Sequence, residues 1–217
     1  MELADWSDRP PPGTAPLDGR YVRLEPLAPA HADTLYQAAT AEGAGDRFRW
    51  LFETQPPDRA AFGDWVAQAS ATTDPLFFAV IDKATGRAEG RQALMRIDRT
   101  HGVIEIGSIM WGPALQRTRM ATEALFLFAD HVFGLGYRRF EWKCNDLNAP
   151  SKRAATRFGF RHEGVFRQHM VVKGASRDTA WFAMTDQDWQ RLRPIYLAWL
   201  APENFDAAGR QRRALRL

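Results

Sequence analysis

Residues 103 to 144 hold one helix between two apolar strands, in a chain most of whose other strands come as hairpins. VIEIGSIMW (103–111) and RRFEWKC (138–144) read as strands. Between them Met120, Ala124, Leu127, Phe128 and Val132 recur at helical spacing over 118–133, and Gly134 and Gly136 stop the pattern. A strand–helix–strand crossover calls for a parallel pair, whereas hairpins pair antiparallel. The chain is therefore restricted to an α/β (α+β) fold with a mixed sheet and helices on its faces.

The flanking segments fit that frame. YVRLEPL (21–27) alternates as a strand, and helices are predicted over 29–41 and 58–71, the second carrying Phe62, Trp65, Val66 and Ala69. GDRFRWLFETQPP between them is too apolar for an idle linker and is expected to wall a substrate site. LFFAVID (76–82) and GRQALMRID (90–98) form a hairpin around KATGRAE; VFRQHMVV (165–172) and DTAWFAM (178–184) form another around KGASR. A helix over 148–158 has Asn148 as cap, Pro150 in its first turn and Gly159 at its end. TDQD at 185–188 resembles a capping box and opens a last helix with Trp189, Leu192, Tyr196 and Trp199, in which Pro194 should make a kink.

The 217 residues, 45% of them hydrophobic, suit one domain over 20–186, preceded by a Pro-rich leader (1–19) and followed by a helix and basic tail (187–217). A single cysteine, Cys144, excludes an intrachain disulfide and reads as core. His31, His101, His131, His162 and His169 lack ligand spacing, so no metal site is expected. A net charge of +3 suits an anionic ligand but is too weak to indicate nucleic acid. Neither a membrane span nor a signal peptide is present, and the reading is cytoplasmic.

Arg117 and Arg119 stand where the crossover helix begins. That end already carries partial positive charge and unpaired N–H groups, so cations are unfavourable there unless an anion binds. Backbone N–H groups of Gln116 to Ala121 would hold a phosphate without a metal. The loop is not GxxxxGK[ST], nor is it GxGxxG, since no glycine lies between Pro113 and Gly134. A solvated helix start is the alternative.

The element order and the run IEIGSIMWGPALQRTRMATEAL…GYRRFEWKCNDLNAPSKRAATRFGFRHEG resemble the GCN5-related N-acetyltransferases (GNAT), most closely the branch containing the ribosomal-protein N-terminal acetyltransferases, over roughly residues 20–186. Gln116 and Ala121 match the family's pyrophosphate loop Q/R-x-x-G-x-G/A. Arg119 occupies the place of the first glycine, so its side chain either turns outward or pairs with a phosphate. The resemblance implies a mostly antiparallel sheet with a splayed central strand pair, and acetyl-CoA as cofactor. Gln116, Arg117, Thr118, Arg119, Met120, Ala121 and Thr122 would hold its diphosphate. Ile109, Met110 and Trp111 would offer N–H groups to the thioester carbonyl, and Asn148 would hold the pantetheine amide. The family's frequent tyrosine is replaced by Ala155; the resemblance to the ribosomal-protein branch, where a serine three residues after the Asn faces the sulfur, implies Ser151 as the thiolate's partner, with helix capping as its alternative role.

Glu105 is the candidate base, or else a carboxylate paired with an arginine for structure. By strand alternation it should share a face with Val103, Ile109 and Trp111. Trp50, Trp65, Trp111 and Trp181 suggest an aromatic acceptor cleft or simply core. Lys152 and Arg153 fit a solvated helix face better than a phosphate site. The expected activity moves an acetyl group to a primary amine, of a protein N-terminus or a small molecule, by direct attack in a ternary complex. A non-catalytic acyl-CoA-binding or sensing module would keep the loop and dispense with Glu105 and Ser151. A homodimer is left open.

Overall fold

The crossover is the hub of the sheet. In the computed structural model, which describes residues 4–217, the strands are β1 (Leu17–Asp18), β2 (Val22–Pro26), β3 (Leu76–Asp82), β4 (Ala88–Asp98), β5 (Val103–Trp111), β6 (Arg139–Asn145), β7 (Arg161–Val172) and β8 (Ala175–Thr185). The helices are α1 (Ala32–Thr40), α2 (Ala44–Arg49), α3 (Arg59–Ser70), α4 (Arg119–Gly134), α5 (Ala149–Arg157) and α6 (Asp186–Leu200). One sheet runs β1-β2-β3-β4-β5-β6-β8-β7. Only β5 and β6, which α4 connects, pair in parallel. The other neighbours are antiparallel.

Strand alternation divides the apolar side chains between two cores. On one face Phe78, Leu94, Ile104, Ile106, Phe140 and Trp142 pack with α4, α5 and α6 through Phe128, Ala155, Trp189 and Tyr196. On the other, Phe77, Ala79 and Ala93 pack with α1, α2 and α3 through Leu35, Phe48, Phe62 and Val66. Caps fix where helices start: Thr118 Oγ1 accepts from Met120 N in α4, Asn148 from Ser151 N in α5, and Thr185 and Asp188 form a reciprocal capping box in α6. Each cap is worth about 1 kcal/mol.

α4 is buried beyond the single stripe that its spacing suggests, because Ala121 through Phe126 are all covered. Glu123 belongs to this run. Its carboxylate accepts from the backbone N–H groups of Arg20 (2.8 Å), Tyr21 (2.6 Å) and Val22 (2.7 Å), and so fastens the turn before β2 to the helix. Gly19 lies against it; a Cβ there would come within 2.7 Å of the carboxylate.

The structure departs from the sequence reading at several points. Residues 45–57 are not all loop: α2 occupies Ala44–Arg49, a helix of six residues, too short to show a period. The β7–β8 turn narrows to Lys173 and Gly174, both left-handed (φ 50° and 76°), so the strands run beyond KGASR's expected borders. α6 continues through Pro194 as a single helix, with that residue on the exposed side. The most consequential departure is at Ser108, where φ is +48° and the β4–β5 register shifts between Arg91 and Ala93. Such a bulge inverts the alternation beyond it. Ile109 and Trp111 therefore join Ile104 and Ile106 on the α4 face, and Met110 turns to the α1–α3 face.

The leader lies along the same domain: Trp6 Nε1 donates to Thr100 O (2.7 Å) and Tyr137 Oη to Pro10 O (3.0 Å). Among the described residues no helix is long and apolar enough to cross a membrane, and no cluster of three metal-ligating side chains occurs.

Candidate active site

Parallel pairing of β5 with β6 begins at Val103↔Arg139 and ends at Ile106↔Trp142. Beyond it the bulge bends β5 away, and Gly107 to Trp111 have no ladder partner on the β6 side. This gives the splayed pair, in which the carbonyls of Ser108 and Trp111 are taken by the Arg91 and Gln116 side chains and the stretch otherwise lacks a partner on the β6 side.

The chain leaves β5 through a turn in which Leu115 N and Gln116 N both donate to Gly112 O (3.1 Å each). Arg117 is left-handed (φ 62°) and exposed, and Thr118 caps the helix. Met120 N is taken by that cap, so Arg119 and Ala121 are the first-turn amides without an intrahelical acceptor. The Gln116 side chain donates to Trp111 O (2.8 Å), tying the turn to the end of β5. Thr122 is buried and accepts from Arg157 Nη1 (3.1 Å). The Arg119 guanidinium is 4.1 Å from the Tyr21 ring centroid and 5.1 Å from that of Phe205. Its charge is thus placed on an aromatic pair beside the helix start.

On the other flank, α5 begins beside β6. Ser151 Oγ accepts from Trp142 Nε1 at 2.9 Å, while Ser151 N donates to Asn148 Oδ1 at 3.2 Å. The indole N–H fills one lone pair of the hydroxyl, so its hydrogen is the group that can turn to a sulfur, whether that of Cys144 or of a ligand. Capping is thus done by Asn148, and the Ser151 hydroxyl is held from β6. Cys144 lies in the α4-side core; burial pushes its thiol pKa up, partly opposed by the Ser151 hydroxyl and by Arg177. Lys152 is engaged by Asp146 (2.9 Å).

Glu105 is buried on the opposite face of the sheet from Ile109 and Trp111, a correction that follows from the Ser108 bulge. Its Oε2 meets Arg96 Nη1 (2.8 Å) and Lys143 Nζ (2.9 Å), and Lys143 also reaches Glu141 (2.6 Å). Burial raises the Glu105 pKa, against the opposing pull of Lys143 and Arg96.

The four tryptophans do not line one cleft. Trp111 packs edge-on to Phe158 (6.3 Å), and its Nε1 donates to Gln92 on the α4 face. Met110 is likewise core, so only its backbone is available at the splay. Trp50 ends α2 beneath Arg49 (4.7 Å). Trp181 lies on the Glu105 face, with Lys143 Nζ 4.0 Å from its ring and Phe166 at 4.5 Å. Trp65 stacks with Phe62 and carries Arg91 at 4.3 Å.

Sequence reasoning missed the charges of this second face: Arg91, paired with Glu53, then Lys143 and Arg177. Their one signal is that charged residues occupy inward positions of otherwise apolar strands.

A solved GCN5-related N-acetyltransferase from Brucella melitensis superposes with a TM-score of 0.96 at 60% identity, over 98% of this chain and 97% of that one. A GNAT-family protein from Chromobacterium violaceum gives 0.81 at 39% identity, over 88% and 96%. The fold extends to the ribosomal-protein-S5-alanine acetyltransferase from Vibrio fischeri, with a TM-score of 0.64 at 15% identity, over 81% and 98%. None of the curated proteins compared with the chain matches it. The model of the acetyltransferase (GNAT) domain matches residues 22–161, across the splay, the loop and the start of α5, and the chain belongs to the GNAT acetyltransferases.

Proposed function

We propose that the protein transfers the acetyl group of acetyl-CoA to a primary amine by direct attack in a ternary complex. The observation that carries this is the convergence of three features: the unpaired stretch of β5, the open first-turn amides of Arg119 and Ala121, and the Ser151 hydroxyl held by Trp142. These residues fit the cofactor's parts, since a diphosphate needs N–H donors at a helix start and an extended amide-bearing arm needs a strand edge.

Gln116 to Thr122 would hold the diphosphate, residues 107–111 and Asn148 the arm. Bound acetyl-CoA supplies the acyl group as a thioester. An alkylammonium is deprotonated in only about one molecule per thousand near neutrality, so a nearby proton acceptor speeds attack. Glu105 serves here through Oε1, because Oε2 is held by Arg96 and Lys143; a water carries the proton between them. Backbone N–H groups of the open β5 stretch polarise the carbonyl. Ser151 Oγ offers its hydrogen to the departing sulfur.

The test is release of free CoA thiol when the protein is given acetyl-CoA with primary amines and N-terminal peptides. Amine-dependent release is expected. Tight CoA binding without transfer to any amine would instead identify an acyl-CoA-binding module.

A further inference from the structure

Arg177 on β8 is 7% exposed, yet its side chain forms no ion pair and no hydrogen bond among the described residues, and its Nε is buried without an acceptor. An N–H removed from water without an acceptor is costly, and the Phe52 ring that faces this guanidinium cannot supply the in-plane acceptor that Nε lacks. Every nearby carboxylate is already committed: Glu105 to Arg96 and Lys143, Glu141 to Lys143 and Arg139, and Glu53 to Arg91.

Its position is informative. β8 pairs with β6 at Lys143↔Trp181 and Asn145↔Thr179, so Arg177 continues the row of Lys143, Thr179 and Trp181 on the Glu105 face. Phe52 covers it at 5.1 Å, from the segment after α2. The β7–β8 hairpin is tied to that roof by Lys173 Nζ, which donates to Phe48 O (2.8 Å). Burial lowers the Arg177 pKa, partly opposed by Cys144 and Glu105. Arg91 Nε and Trp181 Nε1, on the same face, are also buried without acceptors. The unsatisfied side-chain groups on this face of the sheet are thus all N–H donors, and at Arg177 they call for a ligand that accepts.

We infer that the acceptor amine bears a carboxylate, and that Arg177 binds it as a specificity residue while the amine meets Glu105. A guanidinium fork matches a carboxylate's two oxygens. One unpaired cation beside three carboxylates favours a single negative charge over a phosphate dianion. The inference rests on the acetyl-transfer reading and narrows its substrate class to amino acids and related amino-carboxylates.

The experiment measures binding to the CoA-loaded protein by calorimetry, and turnover by thiol release. Its probes are free α-amino acids and β-alanine, their amides, phosphoethanolamine and short uncharged peptides. The amino-carboxylates should exceed their amides in affinity, and Arg177→Met should erase that preference, raising the KM of the preferred carboxylate on the order of 10²-fold without changing CoA affinity. Arg177→Lys should recover part of it. The amide comparison needs no variant, so a misfolded Arg177→Met does not spare the inference. Equal handling of acids and amides, or a preference for phosphoethanolamine or peptides, would overturn it. Arg177-dependent carboxylate binding with no turnover on any amine would leave the anion site standing and overturn acetyl transfer.

Discussion

The guanidinium of Arg119 lies 4.1 Å from the Tyr21 ring and 5.1 Å from that of Phe205, so the first residue of α4 is bound to β2's approach and to the C-terminal segment. A cation at a helix N-terminus is unfavourable by the dipole, and the face of an electron-rich ring offsets that cost. Arg119→Ala should therefore lower stability by about 1 kcal/mol, read from urea unfolding, and leave CoA affinity nearly unchanged. A large loss of CoA affinity with unaltered stability would show that the arginine leaves the rings for a phosphate.

Ser151 and Trp142 are coupled by a single hydrogen bond, and this makes their variants a pair. Ser151→Ala removes the hydrogen offered to the sulfur and should reduce kcat by roughly 10²- to 10⁴-fold, evenly across pH, with CoA affinity little changed. Trp142→Phe keeps the ring in the core and deletes only the N–H that aims the hydroxyl. A smaller fall in kcat is expected, and none in the Ser151→Ala background. Additive losses in the double variant would mean that Trp142 acts through packing alone.

How much of this was legible in the sequence depends on range. Signals that act within one turn were readable: the Asn148 cap, Pro150 behind it and the Thr185–Asp188 box all stand where the residues place them. So was the crossover, because α4 has sixteen residues over which a period can show. Although the isolated Gly107 beside it in the strand is the kind of mark a bulge leaves, the Ser108 bulge was missed, because the left-handed residue is a serine. That one residue moved Ile109 and Trp111 off the Glu105 face and dissolved the expected aromatic cleft. The charged cleft was hidden for a different reason: Arg91, Glu105, Lys143 and Arg177 come from four strands, and only the sheet order β4-β5-β6-β8 brings them to one face.

Glu123 shows how the same stretch of α4 serves the fold. Three backbone N–H groups converge on its carboxylate, at Arg20, Tyr21 and Val22. Glu123→Ala leaves those donors without an acceptor and should cost about 3 to 5 kcal/mol in urea unfolding. Glu123→Gln keeps one acceptor oxygen and should cost less. If both are within 1 kcal/mol of the parent, roughly the scatter of an ordinary surface change, the turn is held by something else.

Glu105 gives the pH test. Burial raises its pKa above the ordinary 4.5, and Lys143 and Arg96 only partly oppose this. A proton acceptor must be ionised, so the acid limb of kcat/KM should fall above pH 4.5 rather than at it, and Glu105→Gln should abolish that limb. The variant's deficit should shrink as pH rises and the amine loses its proton unaided. Stability has its own sign. Between 4.5 and the raised value the folded protein holds a proton that the unfolded chain has lost, so stability falls as pH climbs through that window. Gln cannot titrate, and the variant should lack this slope. Retention of the acid limb in Glu105→Gln, together with loss of the stability slope, would assign the carboxylate to the Arg96–Lys143 network alone and require another proton acceptor.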